Sequence, residues 1–296
     1  VADISAHKDH NIRMLCSLAE NIGVRDNMED KPVAHMNIPV NNGQSTLSYF
    51  ATFDGHGGDG ASSQLQVNLH SVLAKQPDLC TDIEAAVTRA WHIMDWRLLT
   101  SAASTLRKKR QAKSKSLMRT MRKKPNEDNH LSGATAAVVV VVNKAEAATA
   151  AAAAADTIAA APLELVICWA GDSRVVLSAD GGTAIELSED HTASRPDEKK
   201  RVQLAGGSVD SSHRVGGVLA VSRAFGDIMH KSIMDGDEFL QLIGSISEQN
   251  AAQLQEGPLI CTPDIRRHSI EPSDEFLIIA SDGIWDVLTS QEAVFF

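Results

Sequence analysis

Three short apolar runs in the chain each close on an aspartate beside a glycine. They are Tyr49-Phe-Ala-Thr-Phe-Asp54-Gly, Leu165-Val-Ile-Cys-Trp-Ala-Gly-Asp172 and Phe276-Leu-Ile-Ile-Ala-Ser-Asp282-Gly. Strands that end together would gather these carboxylates at one edge of a sheet. Two carboxylates about 4 Å apart repel by roughly 4 kcal/mol at an effective dielectric of 20. Such a cluster needs protons or cations. Oxygen donors without a His/Cys grouping favour magnesium, manganese or calcium. A site for more than one metal ion is therefore the leading expectation.

Asp54-Gly-His-Gly-Gly58 is the densest of these motifs. Its glycines let backbone approach a ligand closely. Asp54 can bridge two cations, and the Gly55 carbonyl can add a ligand. His56, whose ordinary pKa lies near neutral pH, can protonate a leaving oxygen at the same rim. Upstream, Arg25-Asp-Asn-Met-Glu-Asp30 supplies an arginine fork suited to a phosphate dianion. Glu29 and Asp30 can hold metal-bound water. Read singly, the first motif is a glycine turn with a surface histidine, and the second is an ordinary charged segment.

The elements that must position these residues follow from the apolar periodicity. Residues 33–40 and 47–54 read as strands around the hairpin signal Asn41-Asn-Gly43. Residues 60–75 and 81–106 read as helices. In the second, Ile83, Val87, Trp91, Met94 and Leu98 recur at helical spacing, as a core face would. Strands are expected at 133–142, 163–170, 175–177 and 184–187. A helix should open at Pro196 and stop at Ala205-Gly-Gly207. Val215–Val221 reads as a hairpin, and the mixed, polar stretch 228–258 as a flap over neighbouring structure.

With 296 residues, 43% apolar and 22% charged, the composition is that of a soluble globular protein. The longest strongly apolar run, Ala136–Val142, is too short to span a bilayer. Nothing near Val1 has the apolar core of a signal peptide. The four cysteines, Cys16, Cys80, Cys168 and Cys261, are far apart. They suggest reduced thiols and a cytoplasmic or nuclear setting rather than zinc or a disulfide framework. The net charge of −10 hides a basic segment, residues 107–124, with ten Lys/Arg and no acid. The acidic remainder argues against nucleic-acid binding and suits a holder of divalent cations. The basic segment, with Leu117, Met118 and Met121 at helical spacing, reads first as a solvated loop and second as a docking helix for a partner. The alanine-rich stretch 145–161 fits either a helix or an expanded turn.

The order of motifs is more specific than any one of them. Arg25…Met28-Glu-Asp30, Phe53-Asp-Gly-His-Gly-Gly58, Ser132-Gly-Ala-Thr-Ala136 and Ala170-Gly-Asp-Ser-Arg174 come first. Asp190-His191, Glu198…Arg201…Ala205-Gly-Gly207, Leu219-Ala-Val-Ser-Arg-Ala-Phe-Gly-Asp227 and Ala280-Ser-Asp-Gly-Ile-Trp-Asp-Val-Leu288 follow. From about residue 20 onward this series resembles the metal-dependent serine/threonine protein phosphatases of the 2C type. The resemblance implies an α+β fold: a single domain over 1–296 built as a four-layer αββα sandwich, with two antiparallel sheets between helices. It implies two Mg or Mn ions, with Asp54 bridging them, the Gly55 carbonyl and Asp282 as ligands, and Glu29 and Asp30 acting near the metal waters. Asp172, with Asp282 and Asp286, matches a weaker third position. Arg25 would bind the phosphate of a phosphoprotein substrate and His56 would serve as general acid. Attack would come directly from a metal-bridging water, in a monomer. Arg174, Glu198, Arg201 and Arg223 would form an ionic scaffold.

The family's pattern ends with a helix and a strand bearing a further metal aspartate. No such segment follows Val294-Phe-Phe296. The apolar ending suggests truncation of a normal enzyme, and a weak or inactive regulatory relative is the alternative. A third reading takes Cys168 and Arg174 as a Cys-x5-Arg phosphate cradle. The strand setting of Cys168 and the repulsion of phosphate by Asp172 speak against it.

Overall fold

The structure, a computed structural model, describes residues 2–4, 14–40, 43, 45–115, 131–143 and 163–296. The alanine-rich stretch 145–161 and residues 116–124 of the basic segment lie outside these. The chain opens with β1 (Ala2–Ile4), β2 (Cys16–Leu18), β3 (Lys31–Val40), β4 (Ser45–Phe53) and β5 (Gly55–His56). Helices α1 (Gly60–Ala74) and α2 (Ile83–Lys115) come next. After them run β6 (Gly133–Ala134), β7 (Ala136–Asn143), β8 (Leu163–Ala170), β9 (Arg174–Ala179) and β10 (Thr183–Glu186). The remainder is α3 (Pro196–Leu204), β11 (Phe225–Gly226), α4 (Gly236–Ser245), a 3-10 segment (Glu248–Leu254), β12 (Asp264–Ser269), β13 (Asp274–Ala280), α5 (Asp282–Trp285) and α6 (Ser290–Phe295).

All the strand ladders are antiparallel. The largest sheet has the order β12-β8-β7-β4-β3, and a smaller one the order β10-β9-β13. The valine run of β7 reads as unbroken apolar sequence because both of its faces are buried. Ala136, Val138 and Val140 face α1 and α2 among Leu65, Leu69, Val87 and Trp91. Ala137, Val139 and Val141 face the small sheet among Val175 and Leu177. β8 divides the same way, Val166 and Cys168 to the helices and Ile167 and Trp169 to the small sheet. Strands buried on both faces lose the apolar–polar alternation of a half-exposed strand. On the far side of the small sheet, Val294 of α6 packs with Val176 and Trp285.

The hairpin β3–β4 forms as expected, in register from Lys31↔Phe53 to Val40↔Ser45, with an irregularity between His35 and Ile38. Strand β12 carries no signal in the apolar pattern. Asp264-Ile-Arg-Arg-His-Ser269 is charged because it forms the edge of the large sheet, where charge blocks further strand pairing. The stretch at Val215 forms only isolated bridges, Val215↔Leu219 and Val209↔Val215, rather than two strands.

The basic segment corrects an expectation. Helix α2 does not stop at residue 106 but continues to Lys115, so residues 107–115 are helix rather than loop. Arginine and lysine are good helix formers, and cations suit a helix C-terminus. Tertiary contacts reinforce this: Arg107 donates to the Leu240 carbonyl and Arg110 pairs with Asp237. Their partners lie in the stretch read as a flap. That stretch is docked on α2 through Leu99, Ala102 and Ala103 against Phe239, Leu240, Ile243 and Leu254.

A buried ion pair anchors the same junction. Lys231 Nζ lies 3.0 Å from Asp95 Oδ2 with both side chains fully enclosed, and it donates to the Ala224 carbonyl at 2.6 Å. Asp95 also accepts from Gly226 N (2.8 Å) and Gln255 Nε2 (2.8 Å). Removing one member of a buried pair strands the other. Lys231→Met should therefore lower unfolding stability at pH 7 by about 3–5 kcal/mol. A urea melt with an unchanged midpoint and slope would show that the pair contributes nothing.

Candidate active site

The site forms where strands of the two facing sheets run out. Asp54 follows β4, and its carbonyl accepts from Thr135 N (2.9 Å) between β6 and β7. The turn from β8 to β9 carries Asp172. Asp282 stands at the start of α5, directly beyond β13. Thr52 Oγ1 donates to the Ile279 carbonyl (3.3 Å) and ties β4 of one sheet to β13 of the other just behind the acids.

The carboxyls of Asp54 and Asp282 lie close enough that each shifts the other's pKa. Burial, together with the charges of Asp30, Asp282 and Asp172, holds the Asp54 carboxyl well above the ordinary carboxylate range. Asp282 is also raised, by burial and by Asp286 and Asp30, against a lowering from Asp54 and from Arg25. Asp172 is pushed up to about 7, by burial first and then by Asp282. Four of the expected acids, residues 30, 54, 172 and 282, thus lie within electrostatic reach of one another. Asp30 is steadied by Ser281, whose hydroxyl donates to Oδ2 at 2.7 Å. Asp286 caps α5 one turn beyond Asp282 and is exposed. Arg25 is exposed at the same rim, near enough for its charge to act on Asp282.

Gly55 is a glycine for lack of room. A Cβ there would stand 2.5 Å from the Glu29 carbonyl and 2.7 Å from Ser62 Oγ. This close approach brings the Arg25–Asp30 segment against β5, and Ser62 Oγ donates to the same Glu29 carbonyl. Gly55 and His56 pair with Ala134 and Gly133, and β11 extends that ladder on the other side of β6. His56 Nε2 meets Asp227 Oδ2 at 2.6 Å. Burial alone would lower the His56 pKa, but the hydrogen bond and charge of Asp227, with Asp172 and Glu29 behind it, raise it overall.

The donor set suits a hard divalent cation. It consists of the carboxylate oxygens of Asp30, Asp54, Asp172 and Asp282. Among the described residues, no three or more His, Cys, Asp or Glu side chains are gathered closely enough to hold a metal ion by themselves. Magnesium needs no such group, since it keeps several waters and is held by one or two carboxylates. Asp54 and Asp282, whose carboxyls lie close enough to shift one another, fit that requirement.

Three of the four expected scaffold residues, Glu198, Arg201 and Arg223, form one hub. Arg223 reaches Oε1 of Glu198 at 2.6 and 3.1 Å, Arg201 its Oε2 at 3.0 and 3.1 Å, and Ser222 Oγ donates at 2.6 Å. Arg174 is separate. It forks onto Asp190 at 2.8 and 3.0 Å. Its guanidinium is thereby engaged, and Cys168 is fully buried in β8 with its thiol pushed up by burial. These two residues make no phosphate cradle. Asp227 and Ser281 went unassigned in the sequence. Asp227 carried a readable signal, since Ala224-Phe-Gly-Asp227 repeats the pattern of a short apolar run closing on glycine and aspartate. Ser281 carried none.

Residues 14–296 match the family model Protein phosphatase 2C. The chain is 31% identical over 298 residues to probable protein phosphatase 2C 42 of Oryza sativa subsp. japonica, covering 99% of this chain and 76% of that one. It is 32% identical over 278 residues to probable protein phosphatase 2C 59 of the same organism, covering 93% of this chain and 63% of the relative. A crystal structure of a serine-threonine phosphatase 2C from Toxoplasma gondii shares the fold at a TM-score of 0.57 and 19% identity, over 93% of this chain and 79% of that one. The chain belongs to the protein phosphatase 2C family.

Glu198 gives a pH test of the hub. Burial would raise its pKa, but Arg223, Ser222 and Arg201 outweigh burial and lower it from the ordinary 4.5 to about 2. A depressed carboxylate contributes stability that is present above its unfolded value and is lost as pH falls through the folded one. Wild-type melting temperature should therefore fall as pH drops from about 5 toward 2. Glu198→Gln should melt lower at neutral pH and show a shallower acid dependence. Parallel curves for the two proteins would rule the hub out as the source of acid sensitivity.

Proposed function

We propose that the chain hydrolyses phosphoserine and phosphothreonine in proteins, with magnesium or manganese, by direct attack on phosphorus. The observation that carries this reading is the meeting of the half-buried Asp54 and Asp282 carboxyls, with Arg25 near enough for its charge to act on Asp282 and His56 for its charge to act on Asp172. Asp54, the Gly55 carbonyl and Asp282 would hold two cations, with Glu29 and Asp30 acting through water. Asp172, together with Asp282 and Asp286, would offer a weaker third position. Bound divalent ions supply a nucleophilic water at neutral pH and neutralise charge on the phosphoryl oxygens. Phosphate-monoester hydrolysis is among the slowest uncatalysed reactions in water, so that assistance has to be large.

The protein's own groups would do the rest. Arg25, free at the rim, would receive the phosphate by its fork. His56, kept protonated toward neutral pH by Asp227, would give its proton to the departing Ser/Thr oxygen. No side chain is required as a nucleophile, so no phosphoenzyme is expected. The fold that serves this chemistry we take to be one domain, a four-layer αββα sandwich with α1 and α2 outside the large sheet and α6 outside the small one. The docked segment 228–258 and the basic end of α2 flank it. Phosphoprotein substrates are the proposed partners, and the basic segment 107–124 is a proposed docking element.

The decisive measurement is turnover of a phosphoserine peptide with manganese and with EDTA, for wild type, Asp54→Asn and Cys168→Ser. Chelation should abolish activity, Asp54→Asn should cost more than about 100-fold in kcat, and Cys168→Ser should leave it within a few-fold. Activity that survives both EDTA and Asp54→Asn would falsify the metal-dependent mechanism. A wild type that binds manganese yet turns over nothing would make the chain a regulatory relative.

A further inference from the structure

We infer that Asp227 is a positioning residue for His56, so that the two work as a carboxylate–imidazole dyad; this rests on the phosphatase reading of the same site. The contact is 2.6 Å, between Asp227 Oδ2 and His56 Nε2. Asp227 is only 6% exposed, while the His56 side chain keeps a third of its surface open toward solvent. A buried carboxylate behind a half-open imidazole leaves Nδ1 as the ring nitrogen able to meet a substrate oxygen. The proton then passes from Nδ1 to the departing oxygen as the P–O bond breaks, and the neutral ring keeps its Nε2–H on Asp227.

Three further features converge on the pair. First, His56 and Asp227 are brought together by one small ladder, β5-β6-β11, with Gly133 between them. A Cβ on Gly133 would overlap both Asp227 Oδ2 and His56 Nε2, so the absent side chain at 133 is what permits the contact. Second, Gly226 and Asp227 both adopt left-handed backbone, φ 72° and 51°. Aspartate and asparagine tolerate that region better than most residues, but it is held only where surroundings enforce it. Third, the enforcement is visible. Gly226 N donates to the buried Asp95, Asp227 N to the Ser132 carbonyl (3.3 Å), and His230 N to the Asp227 carbonyl (2.8 Å). The Asp95–Lys231 pair thus stands directly behind the turn that aims Asp227.

Leaving-group dependence tests the dyad. A serine alkoxide needs a proton as it departs, whereas p-nitrophenolate needs little. With manganese, Asp227→Asn, which keeps shape and backbone preference, should lower kcat for a phosphoserine peptide by about 10–100-fold with KM nearly unchanged. The loss on p-nitrophenyl phosphate should be several-fold smaller. In a His56→Asn background the same change should cost nothing further. Gly133→Ala, which parts the two side chains while keeping both, should reproduce the split should Asp227→Asn fold poorly. Equal losses on the two esters, or losses that add to those of His56→Asn, would overturn the inference. An activity-independent readout is the 15N-labelled His56 ring. Its Nε2 signal should shift in Asp227→Asn, and an unmoved signal also overturns the dyad. Wild type inactive on both esters defeats the phosphatase reading alone, and the ring signal then decides the dyad.

Discussion

Two carboxylates brought together at one half-buried spot set the terms for the rest of the molecule. At a separation of about 4 Å their mutual repulsion is worth roughly 4 kcal/mol at a protein-like dielectric, before any cost of leaving water. Nothing in local sequence preference offsets that. Asp54 and Asp282 lie 228 positions apart in the chain and meet only because two sheets are clamped face to face. The clamp is apolar. Val139, Val141, Ile167 and Trp169 on one side and Val175, Leu177 and Ile279 on the other form a continuous core. At roughly 1.5–3 kcal/mol per buried large apolar side chain, that interface outweighs the repulsion several times over. The acids are thus held by hydrophobic burial, and the charge imbalance is left for a proton or a cation to settle.

The same logic explains the density of ion pairs around the site. Glu198 with Arg201 and Arg223, and Asp95 with Lys231, are enclosed charges that contribute specificity as much as stability. Both hubs fasten the run Leu219–Asp227. Ser222 and Arg223 bind Glu198, and Gly226 N and the Ala224 carbonyl bind the Asp95–Lys231 pair. A short, irregular segment is thereby fixed as firmly as a strand. That matters because it delivers Asp227 to His56.

Much of this was legible in the residues, and the exceptions have physical causes. Strand-length apolar runs closing on glycine and aspartate marked Asp54, Asp172 and Asp282; β4 and β8 show a continuous apolar signal because they are largely buried, whereas β13 keeps one although it is only partly covered. Helix α3 was marked by Pro196 and the glycine stop. Edge strand β12 was invisible because its charges serve to block pairing, so its pattern is that of a loop. The basic end of α2 was misread as solvated loop, since charge composition alone says nothing of α4, whose Leu240 carbonyl and Asp237 receive the arginines. Which acids meet is a matter of register and sheet order, and neither is written in local periodicity. The motif order did carry that information, through resemblance to a family rather than through physics.

The glycines complete the account, through what they lack rather than through flexibility. At four places around the site a Cβ would collide with a neighbour: Gly55 with Glu29 and Ser62, Gly133 with His56 and Asp227, Gly171 with Thr135, and Gly226 with Ser132. Each collision involves a segment that carries a site residue or touches one. Their spacing shows that the site is built by backbone-to-backbone approach. The Arg25–Asp30 segment, the β5–β6–β11 ladder and the β8–β9 turn can crowd together only where side chains are missing. Side chains that project from such crowded backbone have few rotamers left to them. The acids and His56 are therefore preorganised by the same vacancies that let the strands converge, and an alanine at any of these four positions would loosen the geometry without removing a single functional group.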